Sequence, residues 1–148
     1  MPGGYNHFMT DFKLFVPVAV RYGDLDPQWH VNNAHFFAFI EQARFTYLQE
    51  LDLFEGENFL DFPIIVADAH LSYQLPIAPQ AKVEVGVAVT KIGTKSLRFE
   101  YLVTDPTHAT VYATGETVNV MYDFHNKTSR PVPQEWRERI SQFEGKPF

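Results

Sequence analysis

RYGDLDPQWHVNNAHFFAFIEQAR, residues 21–44, decides how this chain folds. It leaves a Val- and Phe-rich extended run, crosses a polar turn and enters an apolar-striped helix. Asp24, Asp26, His30, Asn32 and Asn33 fall within ten residues, directly before the apolar helical face. A carboxylate beside a helix N-terminus and a wall of Phe supplies what acyl transfer needs: a base or nucleophile, an anion site and an apolar pocket.

Downstream of the turn, Phe36, Phe37, Ile40, Ala43, Phe45, Tyr47, Leu48 and Leu51 recur at helical spacing and predict a helix over 33–51. Asn32 is placed to cap it. So wide an apolar surface predicts that the helix is covered on more than one side. Upstream, Lys13 to Arg21 reads as a strand, with Pro17 pointing to an edge position or a bulge. Residues 1–11 are Gly-rich and polar, a loose N-terminus.

After Pro63 come four strand-like runs: Ile64 to Leu75, Lys82 to Ile92, Ser96 to Asp105 and Thr110 to Asp123. Val83, Val85, Val87 and Val89 alternate with Glu84, Gly86 and Ala88, the period of a two-faced sheet. LPIAPQA, KIGTK and DPTHA separate the runs and carry turn residues. A short helix over 133–142 follows two prolines. Strand, long helix, four strands and short helix predict an α+β fold. A curved antiparallel sheet of about five strands buries the helix on its concave face. Open sheet edges are commonly closed by a second copy.

The 148 residues fit a single domain spanning 1–148. There is no cysteine, hence no disulfide, zinc-thiolate site or thiol nucleophile. Twelve basic against 18 acidic residues give a net charge of −6, which argues against nucleic acid as partner. MPGGYNHFMTDF lacks the basic and apolar regions of a signal peptide, and no apolar run approaches the ~20 residues of a membrane span. The expectation is a cytoplasmic protein with no membrane partner. No Gly-rich phosphate loop and no G-x-S-x-G is present.

Tyr22, Asp24, Asp26, His30, Val31, Asn32, Asn33, Glu41, Ala43 and Arg44, with this element order, resemble the hotdog-fold acyl-CoA thioesterases of the 4-hydroxybenzoyl-CoA thioesterase group. KIGTKS, at 91–96, adds a similar strand-to-strand turn, and the resemblance covers about residues 12–125. It implies a hotdog domain, a homodimer or homotetramer with sites near the subunit boundary, and an acyl-CoA substrate. Neither metal nor separate cofactor is implied, coenzyme A being part of the substrate. Two departures stand out: Trp29 replaces the usual Gly before His, and Asn33 stands where some members carry an aromatic residue.

The resemblance places the catalytic acid at Asp26, as nucleophile or general base for thioester hydrolysis. The Asn33 N–H, in the first helical turn, is the expected oxyanion donor, and His30 the expected orienter of water or of Asp26. Trp29, Asn32, Phe36 and Phe37 are expected to meet substrate, with Phe39, Phe59 and Phe62 as further candidates for the acyl pocket. Lys95 and Arg98 are expected to meet the coenzyme A phosphates, with Lys91 a weaker candidate. Asp24 is given a structural role, and Glu41 and Arg44 are expected to pair on the helix surface. Two other readings share the fold: an enoyl-CoA hydratase or dehydratase, and a non-catalytic acyl-CoA-binding module.

Overall fold

The alternating runs pair as one antiparallel sheet in the computed structural model, which describes residues 10–148. Its strands are β1 (Leu14–Val18), β2 (Ile64–Tyr73), β3 (Val83–Ile92), β4 (Ser96–Thr104) and β5 (Val111–Asp123). They lie in the order β1-β3-β4-β5-β2, and the two-residue β6 (Thr128–Ser129) pairs with the end of β5. Two helices complete the fold, α1 (His35–Glu50) and α2 (Gln134–Glu144). This is the expected α+β architecture of a curved sheet wrapping a long helix. Of the expected loose segment 1–11, only Thr10 and Asp11 are among the described residues.

Two boundaries move for local reasons. β1 stops at Val18 rather than Arg21, because a 3-10 turn over Tyr22–Asp24 follows. The Asp24 carboxylate accepts the Arg21 N–H at 2.7 Å, which draws the chain out of the sheet. α1 begins at His35 rather than at 33, and no side chain caps it at Ala34. The Asn32 side chain instead accepts the Ala34 N–H at 2.9 Å, a local ring that holds the backbone in a turn before the helix starts.

Phe36, Ile40, Ala43 and Tyr47 are buried on one stripe of α1, which packs across β3, β1 and β4. Val85, Val87, Val89, Phe99 and Tyr101 meet them from the sheet. A fully buried side chain of this kind contributes roughly 1.5–3 kcal/mol, so this interlock dominates the stability of the fold. Phe39 and Leu48 are buried too, as the wide apolar surface predicts.

The expected Glu41–Arg44 pair forms at the long limit of an ion pair, but Arg44 is buried rather than on the surface. It is only 5% exposed, and its guanidinium donates to the Tyr101 hydroxyl at 3.0 Å. Glu41, by contrast, is exposed and stands 4.0 Å away, too far for a hydrogen bond. Tyr101 bonds on to Thr117, and Thr117 to Asn119, forming a buried polar chain from α1 to β5.

The two sheet edges differ. β1, which carries Pro17, pairs with β3 alone and ends opposite Val87. Beyond it the Val89 N–H is taken by the Glu144 side chain of α2 at 3.1 Å. β2 pairs with β5 alone, and its other side has no partner among the described residues.

Candidate active site

The loop before α1 is drawn shut by its own backbone. Leu25 and Val31 form an antiparallel bridge. The Asp26 N–H donates to the His30 carbonyl at 3.0 Å, and the Trp29 N–H to the Asp26 carbonyl at 2.9 Å. The Val31 N–H reaches the Ile77 carbonyl at 3.0 Å, tying the loop to the segment after β2. Between them lies a cleft of about 230 Å³. Asp26, Gln28, His30 and Val31 form one wall, Asn33 and Phe36 the second, and the chain from Tyr73 to Pro76 the third.

Asp24 and Asp26 are two residues apart and differ in how far they are committed. Asp24 uses both oxygens: one accepts the Arg21 N–H, the other meets His35 Nδ1 at 2.9 Å. Its carbonyl also accepts the Asn32 N–H at 2.8 Å. Both carboxylate oxygens of Asp24 are thus committed to bonds within the loop and to α1. Asp26 accepts one bond, from the Gln28 N–H to Oδ1 at 2.9 Å, and its second oxygen has no partner among the described residues. Half-buried on the cleft wall, it is held in place yet keeps a free oxygen.

Asn33 also lines the cleft. It stands in the turn before α1 rather than in the first helical turn. Its carbonyl accepts the Phe36 N–H at 3.3 Å and the Tyr73 hydroxyl at 2.7 Å, while its own N–H has no acceptor among the described residues. The N–H shares its peptide plane with the Asn32 carbonyl, which accepts the His35 N–H at 2.9 Å, so the vacant donor is held at the entrance of α1. Partial burial holds the Tyr73 phenol above its ordinary range, so it stays a donor. Its ring also meets Phe36 edge-on at 5.0 Å.

Tyr73 is a cleft residue that the sequence does not mark. It sits at the end of β2, just before a segment that reads only as a turn, and no local pattern marks it. Burial by Phe36 and the bond to Asn33 are products of the fold.

The structure brings together Asp26, His30, Asn33 and Phe36 from the expected set. Asn32 stands behind the cleft as the turn-former described above. Phe37 is outside the lining, and Phe39 is in the core. Phe59 and Phe62 join Phe45 along a separate cleft of about 320 Å³ beside α1. Arg98 and Lys95 lie at the start of β4, the sheet end remote from Tyr73, with Lys95 donating to Ser129 Oγ at 3.3 Å. Within one chain, neither they nor Lys91, near the end of β3, join the Asp26 cleft. Trp29 lies outside the lining too, 59% exposed, with its ring edge-on to Tyr22 at 6.4 Å. Its φ is +64°, a conformation that costs a non-glycine residue about 1–2 kcal/mol. Among the described residues no group of three or more His, Asp or Glu side chains converges to hold a metal ion.

A model of the thioesterase-like superfamily matches residues 20–140. A thioesterase of Thermus thermophilus, solved in complex with coenzyme A and Zn, is 36% identical with a TM-score of 0.81; the match covers 93% of this chain and 98% of that one. The long-chain acyl-CoA thioesterase FadM of Escherichia coli is 24% identical over 125 residues, 84% of this chain and 95% of FadM. Bacillus subtilis YsmA, an uncharacterized protein, is 28% identical over 98 residues, 66% of this chain and 65% of YsmA. No helix among the described residues is long and apolar enough to cross a membrane.

Proposed function

We propose, from the premise that this chain belongs to the thioesterase-like superfamily, that it hydrolyses an acyl-CoA thioester to a free acid and coenzyme A. The observation that carries this reading is the pairing of a half-free carboxylate, Asp26, with the vacant N–H of Asn33 across one cleft. The thioester carbonyl oxygen accepts the Asn33 N–H, and the charge that develops on it is met by the entrance of α1. Asp26 either deprotonates the attacking water or attacks the carbonyl carbon itself, forming an anhydride that water then opens. In both routes the C–S bond breaks and the thiolate leaves as coenzyme A. His30, on the same wall, orients the water. Tyr73 braces the Asn33 carbonyl, one peptide beyond the donor N–H, and Phe36 backs the acyl group.

The Asp-x-Asp and His-Val-Asn-Asn pattern supports a place in the 4-hydroxybenzoyl-CoA thioesterase group. A chain without cysteine acting on a CoA ester suits the cytoplasm. We assign the open edge of β2 to a second copy of the chain. Phe59, Leu60, Val66, Tyr73 and Leu75 are exposed on or beside that edge. Antiparallel pairing centred on Ala69 sets Asp68 of one copy against His70 of the other, both exposed here. Such pairing about a two-fold axis also brings the Lys95 end of one sheet toward the Asp26 end of the other. Lys95 and Arg98 would then serve the partner's cleft.

The test is thiol release from short, long and aromatic acyl-CoAs. Turnover that saturates with at least one ester is expected. Hydration of an enoyl-CoA without thiol release would move the chain to the hydratases, and binding without turnover would make it a carrier.

A further inference from the structure

We propose that Trp29 and Tyr22 form an aromatic clamp at the lip of the cleft that stacks the purine of the coenzyme A leaving group. The proposal rests on the acyl-CoA reading of that cleft. Tyr22 is 84% and Trp29 59% exposed, so two large rings stand in solvent with nothing among the described residues to cover them. Their planes meet at 76° with the contact edge-on, so the ring faces turned away from that contact stay open. Trp29 is also held in left-handed backbone, where glycine is the natural occupant. The same turn that presents Asp26 enforces this conformation, through the Trp29 N–H bond to the Asp26 carbonyl. Exposure and strain together oppose folding and gain no buried contact, the combination expected where a side chain serves a ligand.

Position selects the ligand. Gln28 and His30, the neighbours of Trp29, line the cleft while Trp29 does not. The acyl group belongs inside, against Phe36, so a group crossing the loop outward belongs to the leaving-group half. The purine is the only flat aromatic part of coenzyme A. Exposed Arg21 adjoins Tyr22 and forms no ion pair among the described residues, which leaves a cation beside the rings for the phosphates. Two rings and a guanidinium are the chemistry of nucleotide binding rather than of an apolar partner.

Trp29→Gly decides the matter, read against a matched pair of substrates: an acyl-CoA, and the same acyl group on pantetheine, which lacks the nucleotide. The variant is expected to raise KM for the acyl-CoA roughly 10- to 100-fold with little change in kcat. KM for the pantetheine ester should not move, and the melting temperature should hold or rise because glycine adopts this φ freely. Trp29→Phe should recover most of the affinity, and Tyr22→Ala should show a smaller loss. An equal shift for both substrates would overturn the clamp, as would a change in oligomeric mass on removing Trp29. Adenosine 3′,5′-bisphosphate provides an arm independent of turnover. It should quench the exposed Trp29 but not Trp136, which is 6% exposed. Quenching without hydrolysis would retain the clamp and remove the thioesterase reading; hydrolysis without quenching would do the reverse.

Discussion

Glu144 and Asp26 are both carboxylates facing N–H donors, and they are treated in opposite ways. Glu144 is buried at the end of α2, and one of its oxygens takes both the Tyr47 hydroxyl at 2.7 Å and the Val89 N–H at 3.1 Å. Lys13 donates to its backbone carbonyl. It closes the edge of β3 and ties together three elements. Asp26 stands half-buried on an open loop, takes one backbone bond and leaves its other oxygen unused. Most interior polar groups are paired internally, because an unpaired one there costs about 1–3 kcal/mol; among the described residues the Thr104 hydroxyl and the Asn119 amide nitrogen are buried side-chain exceptions. At the cleft, water covers the same deficit until a substrate replaces it.

That contrast breaks first at Asp26. Asp26→Asn keeps an acceptor for Gln28 while losing the charge, so activity should fall about 10²- to 10⁴-fold. Thermal unfolding should stay at the wild-type temperature. Asp24→Ala is the inverse case. It removes bonds to Arg21 and His35 and should lower stability by about 1–3 kcal/mol in urea denaturation, with activity falling as the loop loosens. Tyr73→Phe removes only the bond to the Asn33 carbonyl. Its expected cost is up to about 10-fold in kcat, from ~0.5–1.5 kcal/mol of lost positioning, with KM little changed.

The smallest effect concerns Glu144. Burial raises its carboxyl above the ordinary 4.5, ahead of the opposing pull of its hydrogen bonds and nearby lysines. A raised folded value means that the native state holds the proton more tightly than the unfolded chain. The group's contribution is therefore full below about pH 4.5. It is lost as pH rises through the raised value. Glu144→Gln resembles the protonated form and still accepts from Tyr47 and Val89. It should melt with wild type in mild acid and above it at pH 7–8, by about 2–4 °C for each kcal/mol relieved. A variant less stable at every pH would mean that the negative charge itself is the stabilising element.

Much of the fold was legible because it rests on period. The alternation of Val83 to Val89 and the helical spacing of Phe36, Ile40, Ala43 and Tyr47 each fix an element and its buried face. Asp26, Asn33 and Phe36 stand out as candidates because they crowd into one stretch, and the fold lines one cleft with them. What escaped depends on distant parts meeting. Tyr73 joins Asn33 across forty residues, and Glu144 reaches Val89 across 55. Arg44 reads as half of a surface pair because Glu41 is near in sequence, whereas its hydrogen-bond partner, Tyr101, lies 57 residues away. Helix entry falls later than Asn32 suggests because its side chain serves a turn, a choice between two local rings that composition does not reveal.

The most direct measurement is kcat/KM for acyl-CoA hydrolysis by Asp26→Asn and Asp24→Asn, each beside its melting temperature. Asp26→Asn should lose at least about 100-fold in activity at unchanged stability, and Asp24→Asn should lose stability first and activity less. Activity that survives Asp26→Asn and dies with a fully folded Asp24→Asn would contradict these roles.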